Sequence, residues 1–226
     1  MLNILGIDAS NKGVFIALKT KKRIFYRENF EKNSGSYIIS LIDELLKKNN
    51  LDIDDIELFG CTIGPGSFTG IRISIASLQG LLFNKNKKVV PVISTDILFD
   101  SYNGPFKKKK IAILKRARVD AAYVHIFENE ESIFSPNLIP LDDLKEIIQD
   151  SYLLGEESLY FKEKLNLKNE ILPTEYSIKS FIEYIEKNKD KAIPAKELKI
   201  LYLQKPLAVE NFEKKNNLKI DDDIYN

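Results

Sequence analysis

Short apolar runs separated by polar turns open the chain, and amphipathic patterns follow them. Residues 2–8 and 14–18 are two such runs. Between them, Ala9-Ser10-Asn11-Lys12-Gly13 has the chemistry of a turn, so the pair reads as a β-hairpin. Residues 24–30 alternate apolar and charged side chains and predict a third strand. Over residues 35–50, Tyr37, Ile38, Leu41, Ile42, Leu45 and Leu46 recur at three- and four-residue spacing, the signature of one helical stripe. Ser34 is placed to cap that helix, and Lys47-Lys48 suit its C-terminal dipole. After an acidic turn at residues 52–55, residues 57–63 are too apolar for an edge and predict a buried central strand. Residues 89–93 predict another, and residues 95–102 a helix capped by Ser94 or Thr95. Three strands, helix, strand, helix, strand is the order of a ribonuclease-H-like lobe.

A turn signal at Asn103-Gly104-Pro105 marks a boundary, giving an N-terminal lobe over residues 1–103 and a smaller C-terminal lobe over residues 104–226. The second lobe repeats the theme with strands at 111–115, 121–127, 132–134 and 152–154. Its helices fall at 141–149 and 177–188. The charged tail is expected to be ordered only in part, with the last segment free to pack back on the first lobe.

The sharpest motif joins the central strand to the next helix: Gly64-Pro65-Gly66-Ser67-Phe68-Thr69-Gly70-Ile71-Arg72. Glycines there allow close backbone approach, and the helix start can bind an anion or serve as a purely structural launch. The spacing matches neither the P-loop nor the dinucleotide fingerprint. The helix that follows, residues 71–83, is apolar on two sides. Ile71, Ile75, Leu78 and Leu82 form one face, and Ile73, Ala76, Gly80 and Phe83 the other. Such a helix wants its own sheet on one side and a neighbour on the other.

Composition narrows the chemistry. With 34 basic and 33 acidic residues the net charge is +1, so there is no global pull toward nucleic acid or membrane. One cysteine, Cys61, excludes an internal disulfide and suggests a reducing, cytoplasmic setting. With one histidine, His125, the chain lacks the ligands for a His-based metal centre, and a Ser/His or Cys/His pair would have to use these two residues. No apolar run reaches membrane-spanning length. The densest basic cluster is Lys107–Lys110 with Lys115, Arg116 and Arg118, readable as a nucleic-acid phosphate contact or as a solvated hairpin tip.

The glycine motif, together with Ile4-Leu5-Gly6-Ile7-Asp8-Ala9-Ser10, resembles the TsaB (YeaZ) family. The resemblance continues through residues 51–56, Pro91-Val92-Ile93-Ser94-Thr95, Ala117-Arg118, Tyr123 and Tyr202-Leu203-Gln204-Lys205-Pro206. It implies two ribonuclease-H-like lobes of the actin, Hsp70 and sugar-kinase superfamily. It also implies a non-catalytic scaffold role in making N6-threonylcarbamoyladenosine in tRNA. The expected partners are a TsaD-like catalytic subunit, which holds the metal, a TsaE-like ATPase, and tRNA through the complex; alone, a homodimer is expected. No cofactor is required of this chain, while ATP or ADP and Mg²⁺ belong to the assembled complex.

The expected partner interface is Tyr37, Ile38, Leu41, Ile42 and Leu45 with Ile71, Arg72, Ile75, Leu78 and Leu82. Asp8 and Ser10 are the cofactor-binding candidates, because an acid at that strand end organises Mg²⁺ in the superfamily; the alternative is an aspartate that bonds its own turn. Three segments depart from the family pattern: Lys32-Asn33-Ser34-Gly35, Arg116-Ala117-Arg118 and Gly155-Glu156-Glu157. A stand-alone ATP-dependent phosphotransferase is the rival reading, and a protease lacks a nucleophile–base pair.

Overall fold

Three antiparallel strands, β1 (Ile4–Asp8), β2 (Val14–Lys19) and β3 (Ile24–Asn29), begin a six-stranded sheet in the computed structural model. The structure describes residues 2–21, 23–31, 34–203 and 207–218; Lys32-Asn33, Gln204-Lys205-Pro206 and the end of the tail lie outside them. Helix α1 (Ile38–Lys48) crosses back so that β4 (Leu58–Gly64) pairs parallel to β1. Helix α2 (Phe68–Leu81) crosses again to β5 (Lys88–Ile93), parallel to β4. Strand order is then β3-β2-β1-β4-β5, with β1 and β4 central and almost wholly buried, as their apolar runs predict.

α1 begins three residues later than expected. Ser34–Tyr37 form a 3-10 turn, and the N-cap, Tyr37, makes no side-chain cap bond. The apolar stripe is as predicted: Ile38, Ile42, Leu45 and Leu46 are buried against the sheet. Asp52 caps the following turn through a reciprocal pair of bonds with Asp55.

Helix α3 (Ser94–Ser101) leads to a second sheet of β6 (Ile111–Arg118), β7 (Ala121–Glu128), β8 (Glu131–Pro140) and, after α4 (Leu141–Ile147), β9 (Tyr152–Leu154). Its order, β8-β7-β6-β9, repeats the first four strands of the first sheet: an antiparallel meander, a helix, then a strand parallel to the first. Helix α5 (Ser158–Leu165) covers the same face as α4, with Phe161 beside Leu144 and Ile148. α5 carries too few apolar positions to announce itself in the sequence.

The chain then returns. Helix α6 (Ile178–Lys187) packs Phe181, Ile182 and Ile185 on the back of the first sheet. Strand β10 (Ile193–Pro194) pairs antiparallel with β5, and Ala195, Leu198 and Ile200 join the first core. Residues 178–202 therefore sit with the first lobe, although the turn at 103–105 separates the sheets. Helix α7 (Leu207–Asn216) follows, where the charged composition predicted little structure.

α3 couples the lobes, giving Ile97 to the first core and Leu98, Phe99 and Tyr102 to the second. Neither of its expected hydroxyl caps is used as a cap. Thr95 Oγ1 lies 2.7 Å from His125 Nδ1 on β7, and His125 Nε2 lies 2.8 Å from Ser132 Oγ. Burial lowers the His125 pKa to about 4 and raises that of neighbouring Asp96 to about 6, against an opposing Tyr184 hydrogen bond.

The two shifts act oppositely on stability. His125 is a base depressed from 6.5, so its contribution is present above pH 6.5 and lost toward pH 4. Asp96 is an acid raised from 3.8, so its contribution is present below pH 3.8 and lost as pH rises through about 6. Each is worth about 3 kcal/mol over its range at ~1.4 kcal/mol per unit, and between pH 4 and 6 they offset. An Asp96→Asn variant should therefore lose about 3 kcal/mol relative to the parent on moving from pH 6.5 to 4, read from urea unfolding at each pH.

Candidate functional site

The two sheets leave a cleft of about 490 Å³ between the β1–β2 turn and the glycine motif on one side and β6, Tyr123 and the Gly155 turn on the other. Its wall over the glycine motif is backbone against backbone. Ser67 N donates to Ser10 O at 2.7 Å. A Cβ on Gly66, whose φ is +153°, would lie 2.2 Å from Ser10 O, and a Cβ on Gly70 would lie 2.2 Å from Ala9 O. Those two glycines thus press the start of α2 onto the first turn. Ser67 caps the helix, accepting from Gly70 N at 3.2 Å, which moves the helix start to Phe68. The Gly64-Pro65 peptide is cis.

Lys115 reaches across from β6 with its side chain almost wholly buried. Its Nζ donates to Asn11 Oδ1 at 2.9 Å, Pro65 O at 3.1 Å and Ser94 Oγ at 3.2 Å. Ser94 Oγ in turn donates to Pro65 O at 2.5 Å. One ammonium therefore ties the first turn, the glycine motif and α3 to the second lobe. Burial pulls its pKa down, while the charges of Asp8, Glu157 and Glu156 oppose that shift.

Ser10 lines the cleft, while Asp8 is buried and bonded to its own turn: Ser10 N donates to Asp8 Oδ1 at 2.8 Å. Asp8 Oδ2, Ser10 Oγ and the Tyr176 hydroxyl are all buried, and among the described residues Ser10 Oγ has no hydrogen-bond partner. Burial, reinforced by the Asp8 charge, pushes the Tyr176 phenol well above its usual range. These residues do not fit Mg²⁺-nucleotide. Among the described residues no three acidic, His or Cys side chains gather as a metal site, and the charge near Asp8 is the Lys115 ammonium. Across the cleft, Glu156 and Glu157 line the wall together with Arg116, with Lys12 and Lys115 also in the lining.

The two departures in the second lobe meet. Arg116 Nε donates to Glu157 Oε1 at 2.8 Å, Arg116 N donates to Glu157 Oε2, and the guanidinium lies over the Tyr160 ring. The expected basic cluster is accordingly dispersed. Lys115 is buried, Arg116 is paired, Lys107 sits over the Phe99 ring and Lys110 donates to Gln149 O. Lys115 was legible in one respect: it falls in phase with buried Ile111 and Ile113 on β6.

The expected interface requires correction. Ile38, Ile42, Leu45, Ile71, Ile75, Leu78 and Leu82 are buried in the first lobe's own core, and Leu41 packs against it. A sheet face this apolar needs covering within the chain, so the stronger stripe of each helix turns inward. Tyr37 and Arg72 remain exposed. Beside them the second face of α2 is open: Ile73, Ala76 and Gly80 are exposed, Phe83 is 76% exposed, and a Cβ on Gly80 would meet nothing. Ile39 of α1 is exposed as well.

The fold and cleft define a two-lobed α/β protein with a ribonuclease-H-like first sheet and a shortened copy as the second. Residues 28–143 match the family model described as "TsaD: tRNA N6-adenosine threonylcarbamoyltransferase". The chain is 28% identical over 178 residues to "tRNA threonylcarbamoyladenosine biosynthesis protein TsaB" of Buchnera aphidicola subsp. Schizaphis graminum, covering 74% of this chain and 84% of that one. The protein of the same name from Buchnera aphidicola subsp. Acyrthosiphon pisum is 24% identical over 207 residues, covering 84% and 92%. The solved structure "YeaZ from Pseudomonas aeruginosa" superposes with a TM-score of 0.70 at 19% identity, covering 90% of this chain and 100% of that one. The chain belongs to the threonylcarbamoyltransferase-related family that this model describes and, within it, to the TsaB (YeaZ) proteins.

Replacing Lys115 by methionine should lower unfolding stability by about 2–4 kcal/mol, since Pro65 O, Ser94 and the Asp8 charge lose a buried cationic partner. Equilibrium urea unfolding measures the loss. A change below ~0.5 kcal/mol would show that the ammonium does not hold the lobes together.

Proposed function

We propose that this chain is a supporting subunit in the formation of N6-threonylcarbamoyladenosine in tRNA, pairing with a TsaD-like catalytic subunit that carries the metal. A TsaE-like ATPase docks on that pair, tRNA is reached through the assembly, and the free chain pairs with itself. The observation that carries this reading is the exposed outer face of α2, Ile73, Ala76, Gly80 and Phe83, with Tyr37 and Ile39 beside it. Small residues at 76 and 80 let another helix approach closely, and the flanking apolar side chains supply area to bury.

The interior chemistry agrees. The one histidine is packed between α3 and β7, and burial pushes the Cys61 thiol up to about 12, so neither acts as a nucleophile or base at neutral pH. The phosphotransferase reading needs acids to hold Mg²⁺ at a triphosphate, and among the described residues no such group of acids gathers.

Two substitutions on opposite sides of α2 test the pairing. Ile73→Glu should weaken binding to the TsaD-like subunit ~100-fold or more in titration calorimetry while the thermal melt stays at the parent value. Ile75→Glu places a charge in the core beside Leu78 and should unfold the chain instead. In tRNA modification assays the isolated chain should be inert and the mixed subunits active. Normal pairing by Ile73→Glu would remove this face from the interface.

A further inference from the structure

One charged group interrupts the apolar outer face of α2, and it is unusually well ordered for an exposed side chain. The Arg72 guanidinium carbon lies 4.1 Å from the centre of the Phe68 ring, four residues earlier on the same helix. Its Nη2 donates to the Tyr202 hydroxyl at 3.1 Å, and the Tyr202 ring meets Phe68 edge-on with centroids 6.0 Å apart. Tyr202 is held there because the returning segment is pinned to α2: Gln79 Nε2 donates to Ala195 O and Leu198 O, both at 3.1 Å, and Leu201 N donates to Ile63 O.

α2 contains no acidic residue, and among the described residues no carboxylate forms an ion pair with Arg72. An arginine covered by a partner without a counter-charge would be strongly unfavourable. Resting on the pairing reading above, we propose that the TsaD-like partner presents a carboxylate to Arg72, and that Phe68 and Tyr202 pre-orient the guanidinium to receive it. A second copy of this chain is poorly suited as the source. The acids of its α1 are already engaged, Asp43 with Lys47 at 2.7 Å and Glu44 with both Arg27 and Lys48. The planar fork, with several donors still unused, matches a carboxylate in two-point contact.

The test measures the dissociation constant between the full-length chain and the TsaD-like subunit at low and high NaCl. Arg72→Met should bind ~10–100-fold more weakly at low salt and lose most of the parent's salt dependence. Arg72→Lys keeps the charge but not the fork and should fall between them, and Tyr202→Phe should weaken binding a few-fold. Phe83→Glu serves as the control for the face itself. If Phe83→Glu abolishes pairing while Arg72→Met binds within twofold of the parent with the same salt slope, the carboxylate contact is wrong and the interface stands. If Phe83→Glu pairs normally, both readings fall. Equal loss of self-association and of partner binding in Arg72→Met would give the carboxylate to a second copy and overturn the assignment.

Discussion

A nearly dehydrated ammonium between two sheets is the constraint on which the rest of the molecule depends. Lys115 is the point at which the second lobe grips the first, and it does so through three donors that each find an oxygen. Burying that charge is tolerable only because those oxygens and nearby Asp8 replace water. The grip fixes the glycine motif from above through Pro65 O, while Ser10 and Ala9 fix it from below through Gly66 and Gly70. The loop is thus squeezed between two lobes, and the helix it launches has one orientation. The cleft floor that could otherwise receive a ligand cation is already under the influence of the protein's own.

This arrangement moves the functional interest from the cleft to the far side of the first lobe. In the cleft, acids and bases answer one another: Asp8 with Lys115, Glu157 with Arg116. On the outer surface of α2 nothing answers. The apolar residues are uncovered, and Arg72 is held by two aromatic rings with no carboxylate paired to it among the described residues. Compensation inside and its absence outside are what a protein built to be completed by a partner should show.

Much of the first lobe was legible because its signals are strong. Continuous apolar runs gave β1, β4 and β5, and the three- and four-residue spacing gave α1. The two-faced character of α2 was also visible; which face turned inward was not. Periodicity measures how apolar a face is, and both faces of residues 71–83 are apolar. Only the sheet's position decides that Ile71, Ile75, Leu78 and Leu82 go in and Ile73, Ala76, Gly80 and Phe83 stay out. The role of Lys115 escaped for a related reason. In the sequence it stands near Lys107–Lys110 and reads as one more surface charge, whereas strand phase puts it on the face of β6 that Ile111 and Ile113 pack against α3. The return of α6 and β10 to the first lobe is a long-range choice that no local pattern encodes.

The shortened second sheet fits the same logic. It repeats the meander, crossover helix and parallel fourth strand of the first sheet, then stops, and its departures at Arg116 and Glu157 close on each other as an ion pair. A lobe that clamps a nucleotide needs its turn residues free to contact phosphate. Here the Gly155 turn spends Glu157 on Arg116, and the strand that supplies Arg116 also supplies the buried Lys115. Consecutive residues of β6 thus serve the same end on opposite faces of the strand: both hold the lobes and turns in place. On the proposed pairing, what the second lobe contributes is the rigidity with which the first lobe presents α2.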